Sequence, residues 1–125
     1  MRDEIYNALK NHAPLTALVH DRIYYEVAPQ SAKFPFVIFH KQSGVPKWAF
    51  SGRPLEWEPW VAKAVTTGDS NAATEDIADA IEDALTDAVG LWCRRQSDIA
   101  YSEEETGEVY RHLGGLYRVA HERNP

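Results

Sequence analysis

Apolar side chains recur along this chain at two different periods, and the changes of period divide it into helices and strands. Ile5, Ala8 and Leu9 share one face of a helix predicted over residues 2–12, with Pro14 just past its end. Residues 15–19, Leu-Thr-Ala-Leu-Val, form an apolar turn or a second helical segment. From residue 23 to 27, Ile23, Tyr25 and Val27 alternate with Tyr24 and Glu26, the pattern of a strand with one buried face. Residues 36–42 read as the next strand. It is apolar on both faces at its start, which places it inside the sheet. Gly44, Pro46, Gly52 and Pro54 punctuate a loop too long for a tight hairpin. Residues 56–67 return as a strand, in which Pro59 predicts an edge position or a bulge, because proline has no N–H to give the ladder.

The helix over about 71–89 is the clearest element. At about 100° per residue, Ala73, Ile77, Ala80, Ile81, Ala84, Leu85 and Ala88 fall on one side, while Glu75, Asp76, Asp79, Glu82, Asp83 and Asp87 fall on the other. Asp69 or Ser70 is placed to cap its start, the early acids suit the positive end of the helix dipole, and Gly90 is placed to end it. The alanines allow this helix to lie close on a sheet. Residues 91–96, 99–102 and 108–122 supply two or three closing strands, with Gly114-Gly115 predicting a bulge or bend in the last. The order defines an α+β fold: a mostly antiparallel sheet packed against an N-terminal helix and a long amphipathic acidic helix. The chain, residues 1–125, is expected to be a single domain with a protruding arm at about 43–56.

Charge sharpens this picture. The net charge is −6, and no Lys or Arg lies between Lys63 and Arg94, where Asp69 and the six acids of the helix sit. Glu103, Glu104, Glu105 and Glu108 make a second acidic cluster. Basic residues form no stripe, so the surface repels a phosphate backbone and sequence-specific nucleic-acid binding is not expected. No apolar run approaches the roughly 20 residues of a membrane span, and the N-terminus, Met-Arg-Asp-Glu-Ile-Tyr, does not resemble a signal peptide. A lone cysteine, Cys93, excludes an internal disulfide or a multi-cysteine metal site.

Several short stretches, taken in order, carry a resemblance. They are Asp21-Arg22-Ile23-Tyr24, Ala28-Pro29-Gln30, Phe34-Pro35-Phe36-Val37, Ser43-Gly44 at the start of the arm, Ile77-Ala78-Asp79-Ala80-Ile81, Glu103-Glu104-Glu105-Thr106 and Tyr110-Arg111. Over residues 3–122 the chain resembles the tail-terminator (tail completion) proteins of long-tailed bacteriophages. Pro59 inside a strand and an arm rich in tryptophan depart from the family's texture. The resemblance implies a structural protein of the virion at the head–tail junction, made in the bacterial host cytoplasm. It implies a ring, usually of six copies, that seats on the tail tube, ends its polymerisation and meets the head connector. The implied partners are other copies of the chain, the major tail tube protein and a neck protein, with DNA passing through the ring and no membrane involved. A different neck component, a head-closure or connector protein, is the alternative within this class.

The residues themselves leave open where contacts are made. Trp48, Phe50 and Trp57 lie in or beside the arm, either folded back over the sheet or forming a subunit or tube contact with Arg53 as the matching cation. The acidic side of the helix, Glu75, Asp76, Asp79, Glu82 and Asp83, and the cluster Glu103, Glu104 and Glu105 are either solvated, part of a DNA-repelling lumen, or an inter-subunit face meeting Arg94, Arg95 or Arg111. Enzymatic readings find little support, and no cofactor is expected. His12, His20, His40, His112 and His121 show no paired-ligand spacing, although His40 and His112 sit on strands that would let them approach. Ser70 is explained as a helix cap, and neither a nucleophile elbow nor a phosphate-binding glycine loop occurs. A small metal-dependent hydrolase using the helix acids is the remote alternative. Cys93 reads as a small buried or half-buried residue.

Overall fold

In the computed structural model, residues 2–42, 55–68, 72–88 and 91–122 are described. The elements are α1 (Arg2–Lys10), α2 (Ala13–Val19), β1 (Ile23–Tyr25), β2 (Phe36–Lys41), β3 (Leu55–Thr67), α3 (Ala72–Thr86), β4 (Trp92–Glu105) and β5 (Glu108–Glu122). The five strands form one sheet in the order β1-β2-β3-β5-β4, antiparallel except for the β1–β2 pair. The α+β fold expected from the sequence is therefore present. Residues 43–54 of the predicted arm, including Trp48, Phe50 and Arg53, lie outside the described residues, as do the cap candidates Asp69 and Ser70 and the stop candidate Gly90, while residues 55 and 56 open β3.

All three helices cover the same face of the sheet. The core joins Ile5 and Leu9 of α1, Leu15 and Val19 of α2, and Ile77, Ile81 and Leu85 of α3 to Val37, Phe39, Trp60, Ala62, Ala64, Tyr117 and Val119 of the strands. Each fully buried aliphatic side chain contributes on the order of 1.5–3 kcal/mol of transfer free energy. On α3, Ile77, Ala80, Ile81, Ala84 and Leu85 are buried as the apolar pattern predicted, but at its start Thr74 is buried and Ala73 exposed, and Ala78 is buried as well. The reason is polar: the Thr74 hydroxyl meets that of Thr66 on β3 at 2.6 Å, so this threonine belongs to the core.

Other corrections concern the strands. β1 is shorter than expected, because Glu26 takes a positive φ of 64° and donates its N–H to the Phe39 carbonyl at 2.9 Å. Pro59 lies not on an edge strand but on β3, the middle strand, and its pairing with Arg118 of β5 is uninterrupted. It is tolerated because its carbonyl, and hence its ring nitrogen, faces the end of β2, where Gln42 N–H donates to Pro59 O at 2.9 Å and no donor is required. The 91–96 and 99–102 segments are one continuous strand, β4. Its two-residue turn to β5, Thr106 (φ 50°) and Gly107 (φ 82°), has the pair of positive φ values of a type I′ hairpin.

The bulge is likewise not at Gly114-Gly115, whose pairing with β3 is regular, but in β4 between Arg95 and Ser97. Gly114 serves a different purpose. It lies opposite Lys63, and a Cβ there would strike the Ala62 carbonyl and come within 2.5 Å of Lys63 Cα, so the glycine permits a close approach of β3 and β5.

Candidate functional site

The bulge at Gln96 decides which charges face which side of the sheet. Counted back from the Thr106-Gly107 turn, a regular hairpin would set Arg95 on the same face as Ser97, Ile99 and Tyr101. The extra residue reverses the alternation, so Arg95 lies opposite Tyr117 on the helix side, and Arg94 lies opposite Arg118 on the other. Gly115, which has no side chain, leaves room beside the Arg95 guanidinium.

Arg95 is consequently held within its own chain. Its Nη1 is 3.2 Å from Glu82 of α3, and its Nη2 is 2.8 Å from Asp98 and donates to the Gly114 carbonyl at 2.9 Å. Glu82 is thereby withdrawn from the acidic face. Glu75, Asp76, Asp79 and Asp83 remain exposed on α3. Burial pushes the neighbouring Cys93 thiol up to about 12, with Glu82 adding to the effect, so the half-buried cysteine is held as the neutral thiol.

The side of the sheet away from the helices carries Trp57 and Arg94 of the predicted residues, and others that the sequence did not point to. Trp57 and Trp92 both pair with Ala120, and although Ala120 is fully buried the two indoles are 43% and 57% exposed. The next register row is Pro59, Arg118 and Arg94, with both arginines exposed and neither bonded to an acid among the described residues. Arg111 faces the helix side instead and donates its Nε–H to the Gly68 carbonyl at 3.0 Å. Arg118 and Trp92 were not singled out from the sequence. Period-two counting would have placed Trp92 only with the bulge known, whereas the face of Arg118 follows from the regular alternation of β5.

Near the hairpin end of that same side, His112 stacks on Tyr101 with ring centroids 4.3 Å apart, and its Nε2 is 3.0 Å from Glu103. Lys63 reaches the Tyr101 hydroxyl at 2.5 Å. Burial, together with Lys63, lowers the His112 pKa, and Glu103 opposes the shift. Glu104 and Glu105 are exposed beside the turn. His40 does not approach His112. It pairs with Val61, and His112 pairs with Val65, so β3 runs between them at different heights. Among the described residues no group of three His, Cys, Asp or Glu side chains is placed to hold a metal ion, and no helix is long and apolar enough to cross a membrane.

Comparison with known proteins gives this arrangement a context. A solved chain described as the virion of a native gene transfer agent particle is 24% identical to this one, with a TM-score of 0.71 over 96% of this chain and 94% of that one. A second solved structure, 13% identical, aligns with a TM-score of 0.50 over 100% of this chain and 98% of its own. These two likenesses concern the fold. No curated protein matches. The family model described as tail completion protein gp17 matches residues 3–119. The chain therefore belongs to the tail completion protein gp17 family and is a structural protein of the phage tail and neck.

Proposed function

We propose that this chain closes the tail tube as an oligomeric ring, ends its polymerisation and forms the junction with the head. Family membership over residues 3–119 is the observation that carries the reading, and the similarity of the fold to a chain of a gene transfer agent virion is in keeping with it. The charge layout supports it further. An acidic helix face on one side and exposed arginines and tryptophans on the other are what a head-to-tail contact between identical subunits requires. In this reading the arm at about 43–56, with Trp48, Phe50, Arg53 and Trp57, reaches the neighbouring subunit or the tube. Glu103, Glu104 and Glu105 present negative charge from which DNA phosphates are repelled. The role is assembly and not catalysis.

The test is the native mass of the purified chain over a range of concentrations, with and without Mg²⁺, followed by incubation with tail tube protein. A closed oligomer near six copies that binds tube ends and stops their growth is the expected result. Binding to a neck protein with no effect on the tube would replace the reading with that of a connector component. A monomer that binds neither would remove it.

A further inference from the structure

We infer that the Trp57–Arg118–Arg94–Trp92 patch, on the side of the sheet away from the helices, is the receiving surface for the acidic helix α3 of a second copy of this chain. The inference rests on the ring reading above and supplies the contact that reading lacks.

The patch is costly for an isolated molecule. Arg94 and Arg118 stand directly opposite each other on neighbouring antiparallel strands, and like charges in that position destabilise a sheet. Neither is bonded to an acid among the described residues, although the bulge two positions along brings Arg95 to Glu82 and Asp98. Two exposed indoles flank the pair, on β3 and β4, one register row away. Arginine beside tryptophan is the composition enriched in the buried centres of protein interfaces.

Charge identifies the occupant. An acidic surface is needed, and the arm at about 43–56 does not supply one, since its ionisable residues are Lys47, Arg53 and a single acid, Glu56. The exposed side of α3 does. Its acids are spaced to match: Asp79 and Asp83, one turn apart, have Cβ atoms about 5–6 Å from each other. Directly opposed residues on antiparallel strands are about 4.5–5.5 Å apart. Two carboxylates can therefore meet two guanidinium groups in one step, leaving Glu75, Asp76 and Asp87 to widen the contact. Because α3 covers one side of the sheet and the patch lies on the other, each copy gives one surface and receives with a different one. Such a heterologous contact closes a ring when the rotation per subunit divides a full turn. Arg94, one of the basic partners anticipated from sequence, keeps that role. Arg95 has its acids within its own chain.

Two reversed chains test the inference by sedimentation. One is Arg94→Glu with Arg118→Glu, the other Asp79→Lys with Asp83→Lys; all four positions are exposed, and circular dichroism checks that each variant is folded. Each alone should be monomeric at concentrations where the wild type is oligomeric. An equimolar mixture should restore the oligomer with the two chains alternating, because every contact is then between opposite charges. A wild-type oligomer that survives both reversals, or a mixture that stays monomeric, overturns this interface while leaving the ring reading intact. A wild-type chain that is monomeric at every concentration, alone and with tail tube protein, overturns both.

Discussion

Arg95 on β4 and Glu82 on α3 are joined at 3.2 Å across the gap between the sheet and its longest helix. The pair is only part of what Arg95 does, since the same guanidinium also reaches Asp98 and the Gly114 carbonyl. Arg95→Ala should therefore cost more than an ordinary exposed ion pair, about 1–2 kcal/mol in denaturant unfolding. Glu82 is partly solvated, so Glu82→Gln should cost less than about 1 kcal/mol. A double-mutant cycle should return a positive coupling between the two, and a coupling of zero would show that the carboxylate is not a partner.

The buried Thr66–Thr74 hydrogen bond makes an asymmetric prediction. Either single replacement by valine leaves one hydroxyl without its partner in the core and should cost on the order of 1–3 kcal/mol. The double valine variant should recover most of that loss, because the two shapes are kept and no polar group is stranded. Thermal melts of the four proteins decide it: additive losses would contradict the pairing.

Gly114→Ala should be among the most damaging single-methyl additions in the chain. The new Cβ meets backbone, which cannot rotate away, so the cost should reach or exceed the upper end of about 1–3 kcal/mol for overpacking. Gly107→Ala, in open space at the hairpin, should cost only the roughly 1–2 kcal/mol of a left-handed residue. Urea midpoints that rank the two the other way would refute the close approach of β3 and β5.

His112 gives the fold an acid sensitivity. Its folded pKa is lowered below the usual 6.5, chiefly by burial, so the unfolded chain binds its proton more readily. The stability it contributes is complete above about pH 6.5 and is lost as pH falls through the lower folded value. His112→Gln should flatten that part of the stability–pH curve. Glu103→Gln, by removing the partner that favours the charged ring, should lower the histidine's pKa further in an NMR titration.

The parts of this fold legible in the sequence are those set by local periodicity. Ile77, Ile81, Ala84 and Leu85 repeat at helical spacing, and that alone places α3 and its buried side. Features that depend on two distant segments were not legible. Pro59 predicted an edge or a bulge because its sequence context does not show that β2 ends just where the missing N–H would point. Gly114 looked like a bend because the strand it approaches is far away in the chain. The bulge at Gln96 has no glycine or proline to announce it, and without it the sequence cannot show that Arg94 and Arg95 face opposite ways. The same inversion hid Trp92. It also left Arg95 as a candidate for a neighbour's acids, although its own chain supplies them.

The bulge has a consequence for solubility as well. Among the described residues β4 is the outermost strand and runs for 14 residues, so one side of its backbone has no neighbour in the sheet there. A long, regular border of that kind is a template onto which another strand can be added without limit. Here the run of evenly spaced donors and acceptors is broken at Gln96, and Asp98 and the three glutamates up to Glu105 set negative charge along the border. The margin of the sheet is thereby guarded against zipping onto another strand.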